Sequence, residues 1–183
     1  TLIVITANLL FSMRGFKDYS FFEQYKFNIA ALQRGEKIRM LSSGFLHVNW
    51  QHFMFNMISL YFFAHIVVNL LGALNFYLVY LFSLLAGNIL SFYFHKNEPF
   101  YSAVGASGAV TGIVYSAILL RPDMHMFIYF IPIPIPSYVV GVGYLLFSIY
   151  GMKTKLGNIG HDTHFGGAVG GYLMTLFLAP WIF

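Results

Sequence analysis

The chain has 183 residues, a net charge of +4 at pH 7 and a mean hydropathy of +0.71, and 58% of its residues are hydrophobic. Charged residues make up only 9%, against roughly 25% in a typical soluble domain, which excludes an ordinary soluble enzyme, a disordered chain and a nucleic-acid binder. The sequence contains no cysteine, which excludes disulfides, thiolate nucleophiles and cysteine-based metal sites.

Apolar stretches recur along the chain and predict about six membrane-spanning helices, each of which needs ~20 mostly apolar residues. The first stretch, residues 1–13, is too short to span alone, and we expect a helix trimmed at its N-terminus. Five further spans are predicted over residues 48–71, 73–94, 102–120, 138–150 and 161–183. No insert between them is long enough to fold separately. The sequence therefore predicts a single all-α domain over residues 1–183, a polytopic helical bundle surrounded by the lipid bilayer.

Two links between the predicted spans have unusual compositions. Aromatic and basic side chains interleave within residues 16–39. This mixture suits the headgroup zone, so we expect an interfacial element that partly enters the membrane. The run Ile131-Pro-Ile-Pro-Ile-Pro136 cannot begin a regular helix, because each proline lacks a backbone N–H donor, and it predicts an extended connector.

Four polar side chains are predicted to lie at one depth in the bilayer. Because the chain alternates direction, the second, fourth and sixth spans enter from the same side. His52 and Asn56 fall in the first two turns of the second span, and Ser107 falls near the start of the fourth. His164 falls in the first turn of the sixth span. Polar groups within a span are costly and usually mark function, so the convergence predicts a site just below that membrane face.

Ser107 lies in the sequence Gly105-Ala106-Ser107-Gly108, whose small residues allow backbone and substrate to approach the hydroxyl closely. A serine becomes a nucleophile when a base can take its proton and hydrogen-bond donors can hold the oxyanion. At a helix start, free backbone N–H groups and the positive end of the helix dipole lie beside the hydroxyl. The motif alone is weak, because small residues in membrane helices usually indicate helix packing.

The last span supplies a candidate base. His164 is followed at i+3 and i+7 by Gly167 and Gly171, which lie on the same helical face. The fourth span carries Gly108 and Gly112 four residues apart. Two helices with glycine faces can approach unusually closely. Such packing would bring the His164 ring to the Ser107 hydroxyl, which is the contact that a general base needs.

His52 and Asn56 are four residues apart and share a face of the second span. Both side chains can donate hydrogen bonds, so they suit the stabilisation of an oxyanion.

Together these residues resemble the rhomboid intramembrane serine proteases. The matching segments, in chain order, are His52-x-x-x-Asn56, Gly105-x-Ser107-Gly108 and His164-x-x-Gly167-x-x-x-Gly171, on the second, fourth and sixth of six helices. Arg39, followed by Phe45-Leu46-His47, resembles the end of the family's first loop. The resemblance covers nearly the whole chain.

The resemblance implies a Ser–His dyad with Ser107 as nucleophile and His164 as general base. It implies an oxyanion hole formed by His52, Asn56 and the backbone N–H of Ser107, with Gly105 and Ala106 beside the bound substrate. The implied reaction is cleavage of a substrate's transmembrane segment without a metal or cofactor. The implied partners are transmembrane protein substrates and lipid, with no nucleic acid.

Three features depart from the family's pattern. Ile38 precedes the first-loop arginine where a Trp is common, and Thr111 stands four residues after Ser107 where an aromatic is common. Near the end of the second span, Val68 and Asn69 stand where an acidic residue is common. These departures concern the anchoring of the loop and the packing of the histidine rather than the dyad itself.

Several polar residues near the predicted site receive structural interpretations. His47 is expected to be a loop or interface histidine, and Asp162 is expected to cap the sixth helix. His161 is a competing base that ranks below His164, because only His164 has the glycine stripe. A Ser–His–Asp triad through Asp162 is not predicted, because residues two apart on a helix do not face each other.

The sequence gives conflicting signals on orientation. All Lys and Arg residues except Arg121 fall on the side of the predicted site, which the positive-inside rule would place in the cytoplasm. The family resemblance implies the opposite orientation, and we follow it. The expected location is a bacterial cytoplasmic membrane, with the active site opening toward the outer face.

Other functions compete with the protease. A metalloenzyme could use His161 and His164 with His47 and His52 as ligands, but the sequence lacks HExxH and any pair of carboxylates within a span. An inactive relative that binds and escorts membrane proteins is disfavoured because both Ser107 and His164 are present. A channel or transporter is disfavoured because the spans lack charges and the chain lacks an internal repeat.

Overall fold

The long apolar runs of the sequence form long helices. The computed structural model describes residues 1–128, 131–157 and 159–182, and 76% of the chain is helical with almost no sheet. In chain order the elements are α1 (Leu2–Lys17), α2 (Tyr19–Tyr25), β1 (Phe27–Asn28), α3 (Ile29–Gln33), α4 (Arg39–Ser42), α5 (Trp50–Leu71), α6 (Ala73–His95), β2 (Ser102–Ala103), α7 (Ser107–Leu120), β3 (His125–Ile128), β4 (Ile131–Pro136), α8 (Ser137–Thr154) and α9 (His161–Leu178). The predicted all-α bundle is therefore confirmed.

Two helices of the described chain, α5 and α6, are long and apolar enough to cross a membrane by length and composition. The helix α7 is also apolar but has only 14 residues. Large apolar side chains remain exposed along α5, among them Tyr61 and Phe62, which are 62% and 61% exposed. Apolar side chains exposed in this way are suited to contact with the lipid bilayer rather than with water.

Several boundaries differ from the predicted spans, among them that of α8, which continues to Thr154 rather than ending at residue 150. The helix α1 continues to Lys17 rather than ending at residue 13. The fourth helix begins at Ser107 rather than at residue 102, because Gly105 adopts a φ of +137° that breaks the helical path. The last helix ends at Leu178, and Pro180 begins a separate 3-10 turn, since proline cannot continue the hydrogen-bond pattern. Residue 183 of the predicted sixth span lies outside the described residues.

The predicted interfacial link contains three short helices, α2 to α4, anchored by a buried arginine. Arg39 is 8% exposed and pairs with Glu36 at 2.7 Å. Its guanidinium also donates to the backbone carbonyls of Glu23 and Lys26, at 2.7 and 2.9 Å. The link is therefore folded onto itself through Arg39, although the tryptophan common in the family is replaced by Ile38.

Two short antiparallel strand pairs complete the fold. The strand β1 pairs with β2, with Phe27 opposite Ala103, and so joins the first link to the segment that precedes α7. The strands β3 and β4 form a second pair. The predicted extended conformation of residues 131–136 is thus confirmed, and its pairing with β3 was not foreseen. Residues 129 and 130, between the two strands, lie outside the described residues.

The helix α7 packs against both α6 and α9 through small residues, and α6 and α9 also pack against each other. A Cβ added at Gly167 would overlap the carbonyl group of Gly108, and one added at Gly171 would overlap the carbonyl oxygen of Gly112. The Gly112 position is equally tight, since an added Cβ there would overlap Ser83 of α6. Only glycine permits this backbone-to-backbone approach of α7 and α9.

Replacing Gly171 with alanine is expected to lower the free energy of unfolding by about 1–3 kcal/mol, because the new methyl group has no space beside Gly112. The matched control is Gly143→Ala on α8, where an added Cβ meets nothing within 4 Å. The control should leave stability unchanged or raise it by up to ~1 kcal/mol through helix propensity. Unfolding in mixed micelles measures both, and equal stabilities would contradict the packing argument.

Candidate active site

A turn at Gly105 places Ser107 at the start of α7. The positive φ of Gly105 is costly for any residue with a side chain. A Cβ at this position would also lie 2.6 Å from His52 Cε1. The Gly105 N–H donates to the Ser43 carbonyl at 3.0 Å, which ties the turn to the first link. Ser107 is the first residue of α7, so its backbone N–H lies among the helix N–H groups that have no partner within the helix.

The glycine-lined packing of α7 and α9 brings His164 to Ser107. The distance between His164 Nε2 and Ser107 Oγ is 2.7 Å, across 57 residues of sequence. Both atoms lie in the first turn of their helices, on the same side of the bundle. This is the geometry of a hydroxyl paired with a base.

His52 and Asn56 lie beside this pair on α5. An added Cβ at Gly105 would lie 2.9 Å from His52 Nε2 and 3.6 Å from Ser107 Oγ, so the His52 ring borders the serine turn. Asn56 is 6% exposed, and its Nδ2 donates to the His52 carbonyl at 3.1 Å. An amide nitrogen carries two hydrogens, so one N–H of Asn56 remains for another acceptor. All four residues of the predicted convergence line one cavity.

The cavity has a volume of about 1300 Å³ and is not confined to the four polar residues. Its lining continues to Glu98, Ser102 and Lys155 in the links at the same end of the bundle. Glu98 is hydrogen-bonded to His95 at 2.7 Å and pairs with Lys155 at 3.3 Å. These contacts hold the pKa of Glu98 below its usual value, His95 being the larger cause. A charged and polar rim therefore connects the serine with the aqueous side.

His47 is a residue whose place the sequence does not reveal. It is expected to be a loop or interface histidine, and it lies in the loop before α5 with its side chain fully buried. Ser12 donates to the Phe45 carbonyl at 3.1 Å, so the 2.8 Å contact between Ser12 Oγ and His47 Nδ1 has the histidine as donor. The remaining nitrogen, Nε2, faces the Ala106 N–H at 3.5 Å. His47 thus joins α1 and the first link to the residue that precedes Ser107.

Tyr144 is the second residue that sequence reasoning misses. Its hydroxyl oxygen lies 2.8 Å from His164 Nδ1, and the two rings lie 6.3 Å apart at an interplanar angle of 27°. The residue lies on α8, 20 positions before His164, and no periodic pattern relates the two. A polar aromatic in the middle of an apolar span was the available signal.

Asp162 does not cap α9, contrary to the prediction. The helix begins at His161 with Gly160 as the capping residue, and no side chain caps it. Asp162 is 5% exposed, and its Oδ2 lies 3.5 Å from His95 Nε2. The helix starts at His161, two residues before the start that a cap at Asp162 requires, so the carboxylate lies toward α6 rather than at the cap of its own helix.

His161 does not contact Ser107. Its ring packs against Gly151 of α8, where an added Cβ would overlap it, and its Nε2 donates to the Leu156 carbonyl at 3.1 Å. Among residues 1–128, 131–157 and 159–182, no group of three or more His, Asp or Glu side chains is placed to hold a metal ion. The four histidines considered as metal ligands therefore do not form one cluster.

The fold and the site together define a class of protein, namely a helical bundle in which a serine and a histidine are paired near one end. A family model described as the Rhomboid domain matches residues 34–181. The chain therefore belongs to the rhomboid family, whose members are integral membrane proteins and include serine intramembrane proteases.

Several curated proteins are similar to this chain. Rhomboid protein 1, mitochondrial, from Saccharomyces cerevisiae is 27% identical over 146 residues, which cover 78% of this chain and 42% of that protein. Rhomboid protease GluP from Bacillus subtilis is 29% identical over 144 residues, covering 77% and 26%. The human Presenilin-associated rhomboid-like protein, mitochondrial, is 30% identical over 138 residues, covering 72% and 35%. The chain thus spans less than half the length of these relatives.

The buried His47 is expected to make stability depend on pH. Burial, with the nearby His52 ring as a smaller cause, lowers the pKa of His47 from 6.5 to about 3. Below pH 6.5 the unfolded chain binds a proton that the folded chain does not, so the free energy of unfolding falls as the pH is lowered toward 3.

The variants His47→Asn and His65→Asn test this dependence. His47→Asn is expected to be less stable at pH 8, by about 1–3 kcal/mol for the lost hydrogen bonds, but to lose less further stability on acidification. His65→Asn replaces an exposed histidine of α5 and should keep the wild-type slope. Unfolding midpoints between pH 8 and pH 4 give the slopes, and a slope unchanged in His47→Asn would contradict this origin.

Proposed function

We propose that this protein is a serine endopeptidase that cleaves the transmembrane segments of other membrane proteins. The observation that carries the proposal is the 2.7 Å contact between Ser107 Oγ and His164 Nε2 inside a helical bundle. The similarity to a Bacillus subtilis relative named as a protease supports the same activity.

In the first step, Ser107 Oγ attacks the carbonyl carbon of the scissile peptide bond. The Oγ–C bond forms while the hydroxyl proton passes to His164 Nε2, and the carbonyl oxygen takes the negative charge. When the tetrahedral intermediate collapses, the C–N bond breaks and His164 returns the proton to the leaving amine. The product is an acyl group esterified to Ser107.

The negative charge on the intermediate needs donors that are in place before the reaction. The His52 ring and the Asn56 amide line the same cavity as Ser107, and together with the Ser107 backbone N–H they fit this role. Gly105 and Ala106 form the turn against which the substrate backbone would lie. Because the φ of Gly105 and the His47 contact hold this turn, the donors need little rearrangement when the charge develops.

Hydrolysis of the acyl group requires water within a protein whose outer surface is apolar. The cavity that contains Ser107 continues to the polar rim formed by Glu98, Ser102 and Lys155, which supports entry of water from the aqueous side. His164 then takes a proton from the water as it attacks the ester carbonyl, and returns that proton to Ser107 Oγ when the C–Oγ bond breaks. No step of this sequence calls for a metal or cofactor.

The substrates that suit this site are transmembrane protein segments. The serine lies at the start of α7 in a bundle whose exposed side chains are largely apolar, so a segment that reaches it from the lipid keeps its own apolar residues in the bilayer. A helix hides its carbonyl groups in internal hydrogen bonds, so the scissile region must unwind locally before Ser107 can attack.

The membrane is proposed to be a bacterial cytoplasmic membrane, with the cavity opening toward the outer face. The relative from Bacillus subtilis supports a bacterial location. Relatives named as mitochondrial support a mitochondrial membrane instead. Fractionation of the source cells, with protease protection of a tagged α6–α7 link, distinguishes the locations and the orientations.

Ser107→Ala is expected to abolish cleavage of a model transmembrane substrate and labelling by a fluorophosphonate, because the attacking oxygen is removed. Ser20→Ala, an exposed serine of α2, is the control and should cleave and label as the wild type does. Thermal unfolding in detergent checks that both variants fold. Robust cleavage by Ser107→Ala would contradict the assignment of the nucleophile.

Two further outcomes separate the competing functions. Loss of wild-type cleavage in EDTA, restored by a divalent metal, would favour a metalloenzyme. A folded wild type that neither cleaves nor reacts with the fluorophosphonate would favour an inactive relative that binds membrane proteins.

His52→Ala and Asn56→Ala are each expected to lower kcat by roughly 10²–10³-fold, the loss typical of removing one oxyanion donor. Gln51→Ala changes an exposed neighbour on α5 and should retain wild-type turnover. Steady-state cleavage of a fluorogenic transmembrane substrate gives the rates. A variant that keeps the wild-type kcat removes that residue from the site.

A further inference from the structure

The second nitrogen of His164 has a partner of an unexpected kind. In a Ser–His–Asp triad, a buried carboxylate orients the histidine from the side opposite the serine. Here His164 Nδ1 lies 2.8 Å from the hydroxyl oxygen of Tyr144. Asp162, on the same helix as His164, lies against His95 instead. The orienting position is therefore occupied by a neutral hydroxyl from another helix.

The direction of this hydrogen bond decides whether His164 can act as a base. Ser107 can give its proton to Nε2 only if Nε2 carries a lone pair, and the neutral ring then carries its hydrogen on Nδ1. In that tautomer Nδ1–H donates to the Tyr144 oxygen. If Tyr144 donated to Nδ1 instead, Nε2 would carry the hydrogen and could not accept the serine proton.

The tyrosine hydroxyl can act in the direction that the active tautomer needs. A phenol carries one hydrogen and two lone pairs, so the Tyr144 oxygen can accept from His164 Nδ1–H while its own hydrogen points elsewhere. Tyr144 lines the same cavity as Ser107, where polar groups surround it.

We propose that Tyr144 is a positioning residue that holds His164 in the tautomer and ring orientation needed by Ser107. The inference rests on the proposed function of the Ser107–His164 pair. Tyr144 does not touch the reacting atoms and acts only through the imidazole. The ring-to-ring contact adds a steric restraint on the rotation of His164.

The location of Tyr144 couples the base to the packing of α8. The helix is held to α7 by the Tyr115 hydroxyl, which donates to the Gly141 carbonyl, and to α9 by the packing of Gly151 on the His161 ring. If α8 moves away from α7 and α9, Tyr144 leaves His164 Nδ1. The base is therefore oriented only while α8 is packed in place.

Tyr144→Phe tests the proposal, because it removes the hydroxyl and keeps the ring. We expect kcat to fall roughly 10- to 100-fold, less than the ~10⁴-fold loss when the orienting carboxylate of a triad is replaced, since a neutral hydroxyl stabilises the imidazolium less. KM should stay within about twofold, since substrate contacts are unchanged. The control is Tyr150→Phe, which alters an exposed tyrosine two turns along α8 and should match the wild type.

The split between kcat and KM separates positioning of the base from binding of the substrate. An effect of Tyr144→Phe confined to KM, or a kcat within twofold of the wild type, would overturn the proposal.

The tautomer of His164 gives a readout that does not depend on turnover. Nitrogen-15 spectra of histidine-labelled wild type in detergent should show His164 protonated at Nδ1 and not at Nε2 at neutral pH, with assignment from His164→Ala. Tyr144→Phe should shift this resonance pattern toward a mixture of tautomers. A wild type protonated at Nε2 would overturn the proposal. Loss of cleavage in the wild type would overturn only the proposed function, because the spectrum still tests the orientation.

Discussion

The contact between the glycine faces of α7 and α9 is the constraint from which the site follows. The backbone of Gly167 lies against the Gly108 carbonyl, and that of Gly171 lies against the Gly112 carbonyl. A Cβ at Gly167 or Gly171 would overlap these carbonyl oxygens, so the two helices would have to move apart. The 2.7 Å distance between Ser107 Oγ and His164 Nε2 therefore depends on these glycines, each of which carries a hydrogen atom where other residues carry a Cβ.

The turn before α7 is a second constraint, and it is imposed from outside the helices. Gly105 holds a positive φ, and its N–H is bound by Ser43 of the first link. The buried His47 connects the same turn with Ser12 of α1. The first link is thus part of the support for Ser107, and Arg39 and its carbonyl partners stabilise that link in turn.

The helix α8 contributes to the site only indirectly. It does not supply a reacting group, yet the hydroxyl of Tyr144 is the partner of His164 Nδ1. In this chain Thr111 occupies the position where the family often has an aromatic residue, and the ring beside the histidine comes from α8 instead. Because the group that orients His164 comes from the neighbouring helix α8, the geometry of the base depends on how α8 packs.

The sequence pattern predicted the positions of residues whose role is local or follows the helical repeat. The apolar runs determined the helical bundle, and the spacing of His164, Gly167 and Gly171 predicted one shared face, because a helix repeats every 3.6 residues. The break before Ser107 was underestimated, since the sequence shows Gly105 but not its φ.

The tertiary structure alone decided which side chains meet across helices. His47 and Tyr144 have no periodic relation to Ser107 or His164, so their contacts depend on how separate segments pack. Asp162 was expected to cap α9, but the helix already begins at His161, and the carboxylate lies near His95 of α6 instead. Sequence spacing specifies directions within one helix, whereas the distance between two helices is determined by the shapes of all the side chains between them.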